Sequence, residues 1–248
     1  MQDNLSGTLP IPPVKAVNPD SFRFALFGDP QIGTDLESYL GWFRQEVARQ
    51  GIDFFGVLGD LTDDGLDSER LVLKAGLDST HTPYYCTLGN HDLYQADGWD
   101  WFKQNFGPSC YSIVVADRLK LIFLDTAEGE LGQEQFDWLE RELAGDSLVK
   151  IVGTHFPIYD GPTPIMWRLA SNEERSKLSS MLVRHHVHSI VSGHIHGWRY
   201  TEIQGVNHFI CALPDVGMDY GQPGYLLFTC VRGQLNWEHI EASGPPQR

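Results

Sequence analysis

Five short apolar runs, each closing on a residue that can ligate a metal, constrain this chain more than any other feature. FRFALFGD ends at Asp29, DFFGVLGD at Asp60, PYYCTLGN at Asn90, VKIVGTH at His155 and VHSIVSGH at His194. Short runs rich in β-branched and aromatic residues, bounded by Gly, Asn and Asp, read as strands. Between them lie helical patterns near residues 35–50, 67–79 and 172–185. A further one is GQEQFDWLERELAG, where Phe136, Leu139 and Leu143 share one helical face and Gly145 supplies a stop. Strand and helix alternating at about 30 residues is the repeat of a βαβ unit, so the fold class is α/β. YSIVVAD and LKLIFLDT add two strands separated by little more than a turn, and the last fifty residues carry short strands that include VNHFICAL and YLLFTCV. In open α/β sheets functional groups gather at the carboxyl ends of strands, so five residues far apart in sequence are expected to converge.

The chain has 248 residues, 42% of them hydrophobic, enough for one sizeable core. With no internal repeat or linker, the expected organisation is an extended arm over 1–20 followed by a single domain over 21–248. No apolar stretch approaches the ~18 residues of a membrane span. Residues 1–20 show neither a basic start nor an apolar signal core. The expected location is therefore cytoplasmic, with a trimmed leader and an exported form as the alternative. A formal charge of −15 argues against general nucleic-acid binding, which needs a basic stripe. It leaves room for one small phosphorylated substrate, because metal charge can dominate locally. Cys86, Cys110, Cys211 and Cys230 show no paired spacing and read as buried thiols. Oligomeric state is not legible.

The donor types narrow the chemistry. Asp29, Gln31, Asp60 and Asn90 offer hard oxygens, and His155, His194 and His196 offer imidazoles. That mixture suits Mn, Fe, Zn or Mg rather than calcium. So many donors suit two ions better than one, with a carboxylate such as Asp60 bridging them at the ~3.5–4 Å of two-metal sites. Against two divalent ions, two carboxylates and a bridging hydroxide leave the centre net positive. Such a centre is able to hold a phosphate and to generate a nucleophile near neutral pH.

The blocks GDPQ (28–31), GDLTD (59–63), GNHD (89–92), THFP (154–157) and GHIHG (193–197) resemble, in order and spacing, those of the calcineurin-like metallophosphoesterase family. The resemblance runs from about residue 22 to 200 and is most specific at GNHD and GHIHG. It implies a four-layer α/β/β/α sandwich, two mixed sheets flanked by helices. It also implies a dinuclear centre of two divalent or mixed-valence ions, with Asp29, Gln31, Asp60 and His196 around one and Asp60, Asn90, His155 and His194 around the other. His91 would stand beside the phosphate as an acid or hydrogen-bond donor, and Asp92 would orient it or cap the following turn. Most members carry His where this chain has Gln31; an amide oxygen is a competent hard ligand, directly or through water. The implied activity is hydrolysis of a phosphate ester by a metal-bridging hydroxide. It leans toward a phosphodiesterase acting on a cyclic nucleotide or another small diester. A phosphomonoesterase, protein phosphatase or nucleotide pyrophosphohydrolase is the alternative, and a non-catalytic scaffold the rival from another class.

Several residues have plainer readings. DLTDDG at 60–65 lacks the third- and twelfth-position ligands of a calcium-binding EF loop, so Asp63 and Asp64 read as turn and capping residues. His185, His186 and His188 fall where a helix ends, which suits a structural role. Tyr94, Trp99, Tyr159, Trp167 and Tyr200 flank the motifs, with packing or surface as their default role. Arg168 and Arg199 are the candidates for a guanidinium clamp on phosphate.

Overall fold

The computed structural model describes residues 17–32, 37–159, 167–213 and 221–242; most of the expected N-terminal arm lies outside them. Two mixed sheets face one another. The first holds β1 (Ser21–Phe27), β2 (Phe54–Leu58), β3 (Tyr84–Thr87), β10 (Gly224–Val231) and β11 (Gln234–Glu241), in the order β11-β10-β1-β2-β3. The second runs β4-β5-β6-β7-β9-β8, built from β4 (Tyr111–Val115), β5 (Leu119–Phe123), β6 (Val149–Thr154), β7 (Ser189–Ser192), β8 (Trp198–Ile203) and β9 (Val206–Cys211). Central neighbours β1-β2-β3 and β5-β6-β7-β9 are parallel, whereas β10, β11, β4 and β8 enter antiparallel at the sides.

Strand alternation divides the core into three layers. Phe22, Phe24 and Leu26 of β1 enter the space between the sheets with Phe54, Leu121, Phe209 and Phe228. Ala25 and Phe27 face the other way, onto α1 (Glu37–Gln50) and α2 (Asp67–Asp78), where Phe43, Val47, Leu73 and Leu77 meet them. Because both faces are covered, these strands read as continuous apolar runs rather than alternating ones. Behind the second sheet, α4 (Gly132–Ala144) and α5 (Asn172–Arg184) bury Phe136, Leu139, Leu178 and Leu182. The result is the expected α/β/β/α sandwich.

A helix that the sequence pattern did not announce, α3 (Gly98–Phe106), follows the GNHD segment and sets Phe102 into the first helical layer. The four cysteines are buried free thiols. Among the described residues no helix is long and apolar enough to cross a membrane.

Candidate metal centre

The carboxyl ends of β1, β2, β3, β6 and β7 meet at one place, and the turns that follow them are bonded to each other. The Asp29 N–H donates to the Gly59 carbonyl (3.0 Å), and the Gln31 N–H to the Asp60 carbonyl (3.0 Å). The His194 N–H reaches both Asp29 carboxylate oxygens at 2.9 Å. Close approach requires glycine at two points. A Cβ on Gly89 would lie 2.1 Å from the Asp60 nitrogen, and one on Gly193 would lie 2.6 Å from Asp29 Oδ2.

His155 is fully buried, and its ring is fixed by Nδ1–H donating to the Leu58 carbonyl at 2.9 Å. Nε2 is thereby turned toward Asn90 Oδ1 (3.1 Å), His194 Nδ1 (3.2 Å) and Asp60 Oδ1 (3.3 Å). On the other side of Asp60, His196 Nε2 lies 3.6 Å from Asp29 Oδ1. Two donor groups result, Asp60 with His155 and His194, and Asp60 with Asp29 and His196; within each, the donor atoms lie within 4.8 Å of one another. Asp60 belongs to both. Gln31 is buried and adjoins Asp60 through its backbone.

The electrostatics are those of a cluster that has lost its solvent. Burial, with Asp60 nearby, pushes the Asp29 carboxyl well up despite the opposing pull of His155. Burial would also raise Asp60, but His155 overrides it and holds that carboxyl low. Burial alone would lower His155, yet the Asp60 carboxylate raises it to about 9. Burial and the neighbouring His155 push His194 down to about 3, and burial is the first cause holding His196 at about 4.

His91 opens a short 3-10 turn, His91–Leu93, after β3. Its ring nitrogen Nδ1 lies 2.6 Å from the Asp63 carbonyl, and Nε2 is 3.8 Å from Asp60 Oδ2. The Asp63 backbone thus aims the imidazole. Asp92, expected to orient His91 or to cap the following turn, bonds to the loop after β2 and to Gly89. It is buried, and its two oxygens accept from the backbone N–H groups of Leu61 (3.2 Å), Thr62 (3.1 Å) and Gly89 (2.9 Å) and from the Thr62 hydroxyl (3.1 Å). A carboxylate so engaged clamps two loops together. Glu69, not Asp63 or Asp64, satisfies the start of α2, accepting from the Asp64 and Leu66 N–H groups at 3.0 Å.

One positioning residue escaped the sequence reading. Thr126, at the end of the LKLIFLDT run, accepts from the His155 N–H (3.1 Å) and the Phe156 N–H (2.9 Å) through its buried hydroxyl. The signal was present, a sixth apolar run with a polar end, but Thr is not a typical metal donor. Of the flanking aromatics, Tyr94 packs against His91 with ring centroids 4.6 Å apart, and Trp167 lies 5.9 Å from His194. Trp99 instead supports the first helical core, and Tyr200 packs on Phe209 and Trp237. Arg199 lies on β8 opposite Ile210, and Arg168 precedes α5; both are half-buried.

A four-layer sandwich with oxygen and imidazole donors nested at its strand ends is the architecture of metal-dependent phosphoester hydrolases. The chain belongs to the calcineurin-like phosphoesterase family, whose model matches residues 22–198. It is 29% identical over 153 residues to a probable glycerophosphodiester phosphodiesterase of Arcobacter nitrofigilis, a match covering 56% of this chain and 54% of that protein. The chain therefore spans about half the length of that relative. A probable cyclic nucleotide phosphodiesterase of Fibrobacter succinogenes is 21% identical over 219 residues, covering 86% of this chain and 84% of its own. Among solved structures, a dimetal phosphatase from Danio rerio superposes with a TM-score of 0.76 at 13% identity, covering 94% of this chain and 98% of its own.

Proposed function

We propose that the protein hydrolyses a small phosphodiester with two divalent metal ions held on either side of Asp60. The observation that carries this reading is the pair of donor groups sharing that carboxylate. Asp29, Gln31, Asp60 and His196 would hold one ion, and Asp60, Asn90, His155 and His194 the other. The residues fit such a load. His196 Nδ1 is buried without a hydrogen-bond partner. The inward donors also crowd within 3.3 Å of His155 Nε2, where lone pairs repel unless a proton or cation sits among them. The mixture of carboxylate, amide and imidazole favours Mn, Fe, Zn or Mg.

When bound, such ions polarise a phosphoryl oxygen and lower the pKa of water. The chain's own groups do the rest. His91, aimed by the Asp63 carbonyl, presents Nε2 on the Asp60 side, where it can donate to a phosphoryl oxygen or protonate the leaving alkoxide. The Asp63 carboxylate also lies 3.7 Å from Nδ1. Asp92 and Thr126 hold the loops that present His91, Asn90 and His155. Arg168 and Arg199 are proposed to grip the phosphate, since a guanidinium matches its oxygens two at a time. Diester cleavage is favoured over monoester cleavage by the names of the sequence relatives, both phosphodiesterases.

Metal content by mass spectrometry tests this, paired with hydrolysis of bis-p-nitrophenyl phosphate and p-nitrophenyl phosphate after loading with Mn, Fe, Zn or Mg. Two ions per chain and faster diester cleavage are expected, with His91→Ala losing turnover while keeping its metal. Monoester preference would make the protein a phosphatase. No metal and no turnover under any loading would leave a non-catalytic scaffold.

A further inference from the structure

Two aromatic walls stand on either side of the donor cluster, and neither is needed to hold a metal. Asp60 Oδ2 faces His91, whose outer side carries Tyr94 at 4.6 Å, tilted by 39°. Asp60 Oδ1 faces His155, and beyond it His194 carries Phe156 at 3.9 Å and Trp167 at 5.9 Å. Tyr94 is 55% exposed and Tyr159, shortly after the THFP segment, is 42% exposed. A large aromatic ring left half in water beside a polar cluster, as Tyr94 is, gains little as packing, and Trp167 on the other wall is partly exposed. They do offer flat faces to an incoming ring, and stacking of that kind accepts a nucleobase or an aryl group alike.

We infer that Tyr94 and Trp167 form a specificity subsite for a flat aromatic group on the phosphate ester, so that an ester carrying such a ring binds better than an alkyl ester. The inference rests on the proposed phosphoesterase reading and names the substrate class for that site. Because Tyr94 packs against the residue proposed to meet the leaving oxygen, the ring it accepts belongs to the leaving group.

The test is competitive inhibition of p-nitrophenyl phosphate hydrolysis by methyl phosphate, phenyl phosphate and adenosine 5′-monophosphate, with wild type, Tyr94→Phe, Tyr94→Leu and Trp167→Ala. At least one ring-bearing ligand is expected to bind about tenfold more tightly than methyl phosphate, a ratio typical of one good stacking contact. Tyr94→Phe keeps the face and should keep the ratio. Tyr94→Leu keeps apolar bulk without the face and should bring the ratio below about threefold. Tighter phenyl phosphate assigns the subsite to aryl esters, and tighter adenosine monophosphate to nucleotides. A wild-type ratio near one, or a ratio that survives both Tyr94→Leu and Trp167→Ala, overturns the inference. If no substrate is hydrolysed, the phosphoesterase reading has failed, and the same ligands are compared by equilibrium dialysis on the metal-loaded protein. There, equal binding of methyl and ring-bearing phosphates overturns the inference, and tighter binding of a ring-bearing one supports it.

Discussion

Replacing Thr126 by Val tests whether the sixth strand end builds the site. Val has nearly the same shape, so little cavity or strain is created; the change removes the hydroxyl that accepts from the His155 N–H (3.1 Å) and the Phe156 N–H (2.9 Å). Thr126 is fully buried, so water has no ready path to replace it. An unsatisfied buried backbone N–H costs ~1–3 kcal/mol, and two give about 2–6 kcal/mol of lost stability. Thr126→Ser keeps the hydroxyl and loses one buried methyl, for about 1 kcal/mol. Urea unfolding of the metal-free proteins separates the two. Metal titration adds a second readout, because the bonds to Thr126 fix the backbone that presents His155; Val should weaken binding where Ser does not. If Thr126→Val unfolds within about 0.5 kcal/mol of Thr126→Ser, the two N–H groups have another partner and the reasoning is wrong.

Asp60→Asn should disturb both ion sites and bring the content below one ion per chain, whereas His196→Ala should spare the His155–His194 side and leave about one, read by mass spectrometry. Gly89→Ala would force a Cβ to within 2.1 Å of the Asp60 nitrogen and 2.2 Å of Asp60 Oδ1. Since backbone must move, a loss of about 3 kcal/mol or more is expected from thermal unfolding. Burial pushes Asp125 up to about 6, against an ordinary 3.8 and despite the bond it accepts from the Ala127 N–H. The folded state then binds the proton more tightly than the unfolded one. This group's contribution is fully favourable below pH ~4 and is lost as pH rises through ~6, a change of ~3 kcal/mol. Asp125→Asn should flatten that part of the stability profile; an unchanged slope between pH 4 and 6.5 would refute the assignment.

What the sequence disclosed was local, and what it concealed depended on partners far along the chain. β1, β2, β3, β6 and β7 were legible because most of each is buried on both faces and so reads as a mainly apolar run, broken at Arg23 in β1, Lys150 in β6 and the serines of β7. Their polar ends stood out against that background. α3 was not, since Gly98, Asp100, Lys103 and Asn105 interrupt any simple stripe, and only Phe102 is deeply buried among its large side chains. Nor could periodicity have shown that β10 lies beside β1, a pairing of Ser21 with Val231. That register follows from closing a sheet, not from any nearby residue. Asp92 illustrates the same limit within the site. Its neighbour His91 suggested a catalytic pair, but its bonds run to Leu61, Thr62 and Gly89, and a bond count of that kind needs coordinates.

The donors themselves sit on unusual backbone. Asp29, Gln31, Asp60 and His194 all have positive φ, at 58°, 35°, 48° and 68°, a conformation that costs of order 1–3 kcal/mol for a residue with a side chain. Asp and His tolerate it better than most. Four such residues in three turns persist because each turn is tied to the next: Asp29 to Gly59, Gln31 to Asp60, and His194 to the Asp29 carboxylate. Bonds between the turns thus oppose the strain. The same linkage explains why glycine is required at 89 and 193. The turns must touch, backbone against carboxylate, for each to hold its neighbour in a conformation that neither would adopt alone.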